Sequence, residues 1–342
     1  MHFSSTLVSS LRNLLEKSSD ILIVSHFNPD GDAVGSSLGL FHFLKSLGKK
    51  ATVCLPNDFP AHFNFLPSSN DIVLASKNSE QTEELFRFAD LIFILDLNTP
   101  KRTGLLAPHI RKSKAGKVLV DHHVDPEEES FDLLFSSTET SSTSELVFWL
   151  ATDLLQNKLP NNPNMATCLY TGISTDTGSM SYACNHVDTY LATARLVEMG
   201  IVPEIINRKI YNSFSENRLR LLGYCISEKL VVNKEFGYAY MYLSLEELNR
   251  FDFQIGDTEG VVNYTLKMTD TEIGILISER PTVTRLSFRS KGAFDVNVFA
   301  RKHWKGGGHV KAAGGESNLA EKDLLQRLEE TLQQEIPQQK HL

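Results

Sequence analysis

The chain has 342 residues, of which 41% are hydrophobic and 22% are charged, which is ordinary for a globular protein and enough for two domains. Its net charge of −8 argues against non-specific binding to long nucleic acid, because such binding neutralises many phosphates with Lys and Arg. No apolar run approaches the ~20 residues of a membrane span, and the first residues lack the basic segment of a signal peptide, so we expect a cytoplasmic protein without a membrane partner.

The first predicted element is a buried strand over the apolar run of residues 21–25. His26, Asp30 and Asp32 follow this run directly, ahead of a helix predicted over residues 33–47. Carboxylates and imidazoles bind divalent ions such as Mn²⁺. Taken alone, this cluster is weak evidence for a metal site, because Asp and Asn also favour turns.

Several glycines accompany the first predicted helix. Gly31, Gly35 and Gly39 flank its start, and their lack of side chains is expected to let the backbone approach the site closely. Gly48 follows the helix, at the position where glycine commonly ends one.

Two further apolar runs, residues 91–95 and 117–120, also predict buried strands. Both end in side chains that bind metals, namely Asp96 after the first run, and Asp121, His122 and His123 after the second. In open parallel sheets the ligand site lies beyond the carboxyl ends of the strands, so we expect these side chains to converge.

The number of converging side chains predicts a site for two ions. Two metals held about 3.5 to 4 Å apart need roughly six or seven ligands, one of them shared, and the strand ends supply nearly that number. We expect the remaining carboxylate to be Asp176, which follows a hydrophobic run and precedes the turn at Gly178.

The order of predicted elements indicates an α/β protein of two unequal domains. Residues 1–196 alternate strands with helices, two of them predicted at residues 142–155 and 187–199, which is typical of a doubly wound, mostly parallel sheet. Residues 197–232 predict a helical linker. Residues 233–342 predict a smaller α/β domain with a mixed sheet.

The second domain contains a glycine-rich segment and a basic one. Its strands are expected at residues 238–242, 273–278 and 282–288, and its helices near 295–304 and from about 319. The glycine-rich segment lies between the two helices and runs from Gly306 to Gly315. Between Arg280 and Lys311 there are eight Lys or Arg residues against one acid. Most such clusters are solvated faces, but this one could also attract a small anionic substrate.

These residues resemble the motifs of a known family, the DHH phosphoesterases. The set that resembles its four motifs is His26-x-x-x-Asp30-x-Asp32, Asp96, Asp121-His122-His123 and Asp176. The second domain resembles the DHHA1 substrate domain in Ser287-Phe288-Arg289-Ser290, Gly306-Gly307-Gly308-His309 and Ala312-Ala313-Gly314-Gly315. Within the superfamily the chain is most similar to the two-domain NrnA-like nanoRNases, which are bifunctional oligoribonucleases and 3′-phosphoadenosine 5′-phosphate phosphatases.

The resemblance implies a metal-dependent phosphodiesterase or phosphatase with two Mn²⁺ ions, Mg²⁺ and Co²⁺ being alternatives. The implied ligands are His26, Asp30 and Asp96 for one ion, and Asp32, Asp96, His122 and Asp176 for the other. Asp121 is expected to orient a ligand, and His123 to contact the scissile phosphate or help protonate the leaving oxygen. The implied substrate-binding residues are Arg285, Arg289, Gly307, Gly308 and His309, with the glycine-rich segment expected to be a loop that donates backbone N–H groups.

The resemblance also implies the substrates. We expect RNA of two to five nucleotides, including pApA-type dinucleotides, to be cut to mononucleotides, and 3′-phosphoadenosine 5′-phosphate to be cut to AMP and phosphate. An exopolyphosphatase or pyrophosphatase-like activity, a RecJ-like exonuclease and a homodimer remain open. One departure is Met180-Ser181, where relatives often carry an aromatic residue or an arginine. A regulatory protein with a dead site would lack a ligand, and none is missing.

Overall fold

A computed structural model describes residues 1–339 of the chain. They fold into two compact units, Met1–Ser213 and the residues from Phe214 onward. The division falls inside the stretch predicted as a helical linker, between a helix at Pro203–Tyr211 and another at Glu216–Glu228. The predicted domain limits at residues 196 and 232 stay a prediction.

The first unit is built on a six-stranded sheet in which every pairing is parallel. Its strands are β1 (Asp20–Val24), β2 (Lys50–Leu55), β3 (Val73–Leu74), β4 (Leu91–Leu95), β5 (Gly116–Asp121) and β6 (Leu133–Ser136). They are arranged in the order β3-β2-β1-β4-β5-β6. The predicted doubly wound parallel sheet is therefore confirmed.

Helices cover both faces of this sheet. They are α1 (Ser5–Lys17), α2 (Gly31–Ser46), α3 (Ser79–Phe88), α4 (Ala107–Lys112), α5 (Thr143–Leu154), α6 (Pro163–Asp176), α7 (Val187–Glu198) and α8 (Pro203–Tyr211). Helices α3 and α4 contribute to the core on one face, and α1, α2 and α5 to α8 contribute to the core on the other. Because both faces are covered, β4 and residues 21–24 of β1 are apolar at every position: Ile23 packs into one core and Leu22 into the other.

The strand order reverses between β1 and β4. The chain passes from β1 to β2 and β3 on one side and then returns to β4 on the other side of β1. Such a reversal leaves a crevice at the carboxyl ends of the two strands, which is where ligands bind in open α/β sheets. His26 follows β1 and Asp96 follows β4, so both residues lie at this crevice.

The glycines of α2 face helix α6. The sequence did not predict this helix. A Cβ added at Gly35 would lie 2.6 Å from the carbonyl oxygen of Cys168 and 2.8 Å from the backbone nitrogen of Gly172. Additions at Gly31 and Gly39 would likewise meet side chains of α6. These glycines therefore let two helices approach closely, while a close approach of their backbone to the site stays a prediction.

We expect Gly35→Ala to destabilise the first unit by about 1–3 kcal/mol, because the added methyl group meets backbone atoms that cannot move independently of α6. The matched control is Gly223→Ala, since a Cβ there meets no atom within 4 Å. That change should stabilise by about 0.5–1 kcal/mol, as Ala is a better helix former than Gly. Denaturant unfolding followed by circular dichroism measures both. Equal unfolding midpoints for Gly35→Ala and the parent protein would contradict the proposed helix contact.

The second unit contains a six-stranded mixed sheet. Its strands are β7 (Leu230–Asn233), β8 (Tyr238–Leu243), β9 (Ile273–Glu279), β10 (Thr284–Ser290), β11 (Gly307–His309) and β12 (Ala312–Ser317), in the order β11-β12-β10-β9-β8-β7. Strands β8 and β9 pair in parallel, and the other pairs are antiparallel. The predicted mixed sheet is confirmed, but the glycine-rich segment is a hairpin of β11 and β12 and not a loop.

Four helices pack on this second sheet, namely α9 (Glu216–Glu228), α10 (Leu245–Arg250), α11 (Val296–His303) and α12 (Glu321–Gln339). Helices α11 and α12 bury one face, while α9 and α10 cover part of the other. Among the helices of residues 1–339, none has the length and apolar character that a bilayer span requires.

Candidate metal centre

The first set of candidate ligands lies where β1 leads into α2. His26 is buried and follows the end of β1. Asp30 is the N-cap of α2, and one of its oxygens accepts hydrogen bonds at 3.0 Å from the backbone N–H groups of Asp32 and Ala33. Because Asp30 caps the helix, its side chain is held beside His26. Its role as a cap is therefore compatible with a role at the site.

Asp96 follows β4 and has an unusual backbone conformation. Its φ of +61° lies in the left-handed region, which non-glycine residues seldom occupy. Non-glycine residues with this conformation are concentrated at functional sites. Its N–H donates to the carbonyl of Val120 at 3.1 Å, so β5 holds it in this conformation. The Asp96 side chain is buried.

The Asp-His-His segment begins at the end of β5, where Asp121 is the last strand residue. All three side chains are buried. The Nδ1 of His123 lies 2.7 Å from Oδ1 of Asp121. The second oxygen of Asp121, Oδ2, is buried and accepts no hydrogen bond from the residues that the structure describes. Such an orphaned oxygen is costly in a cavity without a cation or water to bind it.

Asp176 reaches the site from a helix. It is the last residue of α6, and not the N-cap that an isolated aspartate near a helix would suggest. The turn predicted at Gly178 follows, with this glycine at φ +53°, and it ends the helix. The close packing of α6 on α2 therefore determines where this carboxylate lies.

The side chains form two groups joined by Asp96. In one group, Nε2 of His26 lies 3.4 Å from Oδ2 of Asp96 and 3.8 Å from Oδ1 of Asp30. In the other, Nε2 of His122 lies 3.5 Å from Oδ1 of Asp96. The same nitrogen is 3.3 Å from Oδ2 of Asp176 and 4.0 Å from Oδ2 of Asp32. Each oxygen of Asp96 thus faces its own cluster.

This donor set fits divalent ions. Two ligands bound at about 2.1 Å to one ion lie roughly 3.0–3.4 Å apart in octahedral or tetrahedral geometry. The shortest distance from the histidine nitrogen to a carboxylate oxygen in each group, 3.4 Å and 3.3 Å, is at that spacing. Imidazole with several carboxylates is the ligand chemistry of Mn²⁺ and similar ions. The chain therefore has acidic and histidine clusters that could bind metal.

The carboxylates favour positive charge at the buried histidines. Burial by itself lowers the pKa of His26, but the hydrogen bonds and charges of Asp30 and Asp96 outweigh it and raise the pKa to about 10. Burial is likewise outweighed at His122, mainly by Asp96, and its pKa is raised to about 10. Metal ions that bind here must displace these protons.

The carboxylates also disfavour one another's charge. Burial, with the charge of Asp96, raises the pKa of Asp32 to about 7. Burial, with the charge of Asp32, raises the pKa of Asp176 well above its usual range. Like charges that share a buried site ionise together only when cations compensate them.

His123 behaves differently from the other two histidines. Burial, together with the charges of Arg102 and His122, holds the pKa of His123 well below its usual range. Burial raises the pKa of Asp121 to about 6, so this carboxyl is ionised above that pH. A neutral imidazole beside an ionised carboxylate donates through Nδ1, which leaves Nε2 unprotonated.

Three functional candidates were not identified from the sequence. Thr143 and Ser144, at the start of α5, donate to Asp32, and Arg102 lies close enough to affect the pKa of His123. Arg102 belongs to a 3₁₀ helix, Pro100–Leu106, that follows Asp96. The only sequence signal was a serine- and threonine-rich stretch that starts a helix.

In the second unit, strand register brings most of the predicted substrate residues to one face. Leu286 and Phe288 of β10 point into the core, so Arg285 and Arg289 lie on the opposite face. Arg289 pairs with Ala312, which pairs with His309. The Cα atoms of Arg289 and His309 are therefore about 10 Å apart, two strand spacings.

The hairpin beside this row depends on glycine. Gly307 shares the face of His309, whereas Gly308 lies on the other face, and its N–H donates to Oδ1 of Asn297 at 3.0 Å. That use of the Gly308 amide was not predicted. A Cβ at Gly306 would lie 1.9 Å from the carbonyl oxygen of Gly314, so only glycine allows the chain to enter β11 at this point.

Two family models match the chain. The DHH family N-terminal domain matches residues 20–173, which include β1 to β6 and most of α6. The DHHA1 domain matches residues 235–336, which include β8 to β12.

Several relatives match nearly the full length of the chain. The bifunctional oligoribonuclease and PAP phosphatase NrnA of Thermus thermophilus is 30% identical over 92% of this chain and 88% of its own length. A probable enzyme of the same description from Streptococcus mutans is 28% identical over 91% of this chain and 94% of its own. The crystal structure of an exopolyphosphatase-related protein from Bacteroides fragilis is 36% identical, covers 98% of both chains and superposes with a TM-score of 0.92.

Proposed function

The chain belongs to the DHH phosphoesterase family, and on that premise we propose that it hydrolyses short oligoribonucleotides to mononucleotides and 3′-phosphoadenosine 5′-phosphate to AMP. The observation that carries the proposal is the position of Asp96, whose two oxygens face two separate histidine and carboxylate clusters. A carboxylate in that position suits a two-metal hydrolase. The oligoribonuclease and PAP phosphatase activities for which the NrnA relatives are named support the substrate class.

We assign the ions as two Mn²⁺, with Mg²⁺ and Co²⁺ as alternatives. One would be held by His26, Asp30 and Asp96, and the other by Asp32, Asp96, His122 and Asp176. When bound, such ions make water more acidic and neutralise charge on phosphoryl oxygens.

The remaining residues of the first unit would act on the substrate. Asp121 holds His123 through Nδ1, so His123 would present Nε2 to the scissile phosphate or to the leaving group. Arg102 would add positive charge beside His123. An arginine at this point would stabilise the charge that builds on the phosphoryl oxygens in the transition state.

Residues of the second unit would bind the part of the substrate away from the reacting phosphate. Arg285 and Arg289 extend from one face of β10, and His309 lies in the same cross-strand row as Arg289. A guanidinium suits a phosphate because its planar donors match two oxygens. In the next row, Gly307 and Gly314 leave β11 and β12 without side chains beside Ser287, and Gly308 shapes the hairpin. This face would accept a terminal phosphate or a base.

Net charge and patch size predict the preferred substrate length. The chain carries −8 overall, and its basic residues are concentrated between Arg280 and Lys311. Each phosphate outside that patch adds repulsion, so we expect RNA of two to five nucleotides to be hydrolysed about tenfold or more faster than a 20-mer. A time course with 5′-labelled dimer and 20-mer at matched concentrations measures this. The preference should persist at low salt.

The length test also separates rival enzymes. The Asp96→Asn protein, prepared identically, controls for a contaminating nuclease. Faster or processive degradation of the 20-mer would contradict the proposal and favour a RecJ-like exonuclease.

A second candidate function is hydrolysis of polyphosphate or pyrophosphate. The observation that favours it is the similarity to the Bacteroides fragilis protein, which is exopolyphosphatase-related and 36% identical. Such substrates need the same metals but no recognition of a base. A panel of dinucleotide, 3′-phosphoadenosine 5′-phosphate, tripolyphosphate and pyrophosphate in Mn²⁺ tests this candidate. Higher kcat/KM for tripolyphosphate than for either nucleotide would replace the proposed function by this one.

A further inference from the structure

The first turn of α5 makes direct contacts with two of the candidate metal ligands. The backbone N–H of Thr143 donates to Oδ2 of Asp32 at 2.7 Å, and that of Ser144 donates to Oδ1 at 2.9 Å. The hydroxyl of Thr143 donates to Oδ1 of Asp96 at 3.1 Å. Both oxygens of one carboxylate and one oxygen of another are therefore oriented from a single turn.

The N–H groups of Thr143 and Ser144 are not the ones that the N-cap residue of α5 satisfies. The N-cap of α5 is Ser142, whose hydroxyl accepts the N–H of Glu145 at 3.1 Å. The amides of Thr143 and Ser144 would ordinarily bond to water at a helix start. Here they lie buried and are satisfied by Asp32. Since Asp32 and Thr143 are 111 residues apart, this pairing specifically ties α5 to the site.

The turn is itself held by a buried glutamate. Glu145 is fully buried, and its Oε2 accepts from the N–H and the hydroxyl of Ser141 at 3.0 and 2.6 Å. The same oxygen accepts from the hydroxyl of Thr189 on α7 at 2.8 Å, and Oε1 accepts from Nε1 of Trp149 at 3.3 Å. A network satisfied in this way is rigid, so the turn carrying Thr143 has one position.

We propose that Thr143 is a positioning residue that holds Asp32 and Asp96 in the geometry for metal binding, and that Glu145 positions Thr143. The Asp96 oxygen that Thr143 contacts is the one that faces His122, so the effect should concern the second cluster most. Partners that orient ligands typically contribute 10- to 100-fold to metal affinity. This inference rests on the proposed function, which assigns Asp32 and Asp96 as ligands.

The test compares Thr143→Val with Thr152→Val. Thr152 lies on the same helix, is also buried, and donates to the carbonyl of Phe148, away from the candidate ligands. Mn²⁺ binding to metal-stripped protein is measured by electron paramagnetic resonance of the free ion. We expect Thr143→Val to weaken the binding of at least one ion about 10- to 100-fold. Thr143→Ser, which keeps the hydroxyl, should restore affinity to within about threefold of the parent.

Thermal stability distinguishes a positioning role of Thr143 from a role in folding. Without metal, Thr143→Val and Thr152→Val should melt at similar temperatures, whereas the rise in melting temperature on adding Mn²⁺ should shrink only for Thr143→Val. Equal Mn²⁺ affinities for the two valine variants overturn the inference. If the parent protein itself binds no divalent ion, the proposed function fails instead. Should Thr143→Val not fold, Thr143→Ala removes the same hydroxyl and is judged by the same criterion.

Discussion

Replacing Asp96 by Asn is expected to lower the hydrolysis of dinucleotide and of 3′-phosphoadenosine 5′-phosphate by about 10³-fold or more, because the loss of a shared ligand removes several kcal/mol of charge stabilisation. Among residues 1–339, Asp96 is the only carboxylate that the His26 and His122 clusters share. Asn keeps the shape of Asp96 but lacks its charge. Initial rates in Mn²⁺ with purified protein measure the loss.

The control for this change is Asp71→Asn, which alters an exposed carboxylate in the same unit. It should leave the rates within about twofold of the parent, as surface substitutions usually have small effects. Circular dichroism should show both variants folded, since Asp96 lies at the edge of the sheet and outside both apolar cores. A folded Asp96→Asn protein that keeps most of its Mn²⁺-dependent activity would rule out the two-metal assignment.

Replacing Arg289 or His309 by Ala is expected to damage natural substrates selectively. A lost hydrogen bond to a charged group costs about 1.5–3 kcal/mol, which corresponds to roughly 10- to 100-fold in kcat/KM for dinucleotide. Bis-p-nitrophenyl phosphate lacks the remote group and should change by less than about threefold. Binding energy from a remote group commonly appears in kcat as well as in KM, so both constants should worsen.

Arg220→Ala is the matched control, because Arg220 is an exposed arginine of the same unit that pairs only with its helix neighbour Glu216 among the described residues. It should leave both substrates unaffected. Equal losses on dinucleotide and on the artificial ester, for either Arg289→Ala or His309→Ala, would instead indicate a structural role for the β11–β12 hairpin.

The parallel sheet and the residues at its edge were predictable from the sequence because their signals are local. Strands buried on both faces appear as unbroken apolar runs, and the side chains that follow them necessarily lie at one edge of the sheet. His26 and Asp96 could be placed in this way, as could His122. Their roles as ligands stay a prediction, although the structure brings them together.

Helix α6 could not be predicted, because it lacks an amphipathic pattern. Nine of its 14 residues are buried, including Cys168, Gly172 and Ser174. A helix buried on most sides shows no clear polar face. Its small residues allow close contact with α2, although several of them have low helix propensity. For this reason, the position of Asp176 at the end of a helix depended on the packing.

In the second unit, the glycine-rich hairpin likewise could not be predicted from a local pattern. Glycine has low strand propensity, so residues 306–315 predict a loop. Pairing with β10 nevertheless makes β12 a strand and brings His309 into the row of Arg289.

By itself, the sequence determined the fold class, the family and the chemistry of the candidate site, since apolar runs and the residues that end them are encoded within a few positions. Only the tertiary structure decided how the site is held. Asp32 is bound by amides of α5 that lie 111 and 112 residues away, and Glu145 is tied to α7 across 44 residues. Such partners leave no local pattern, because a hydrogen bond between distant residues depends on how the helices pack.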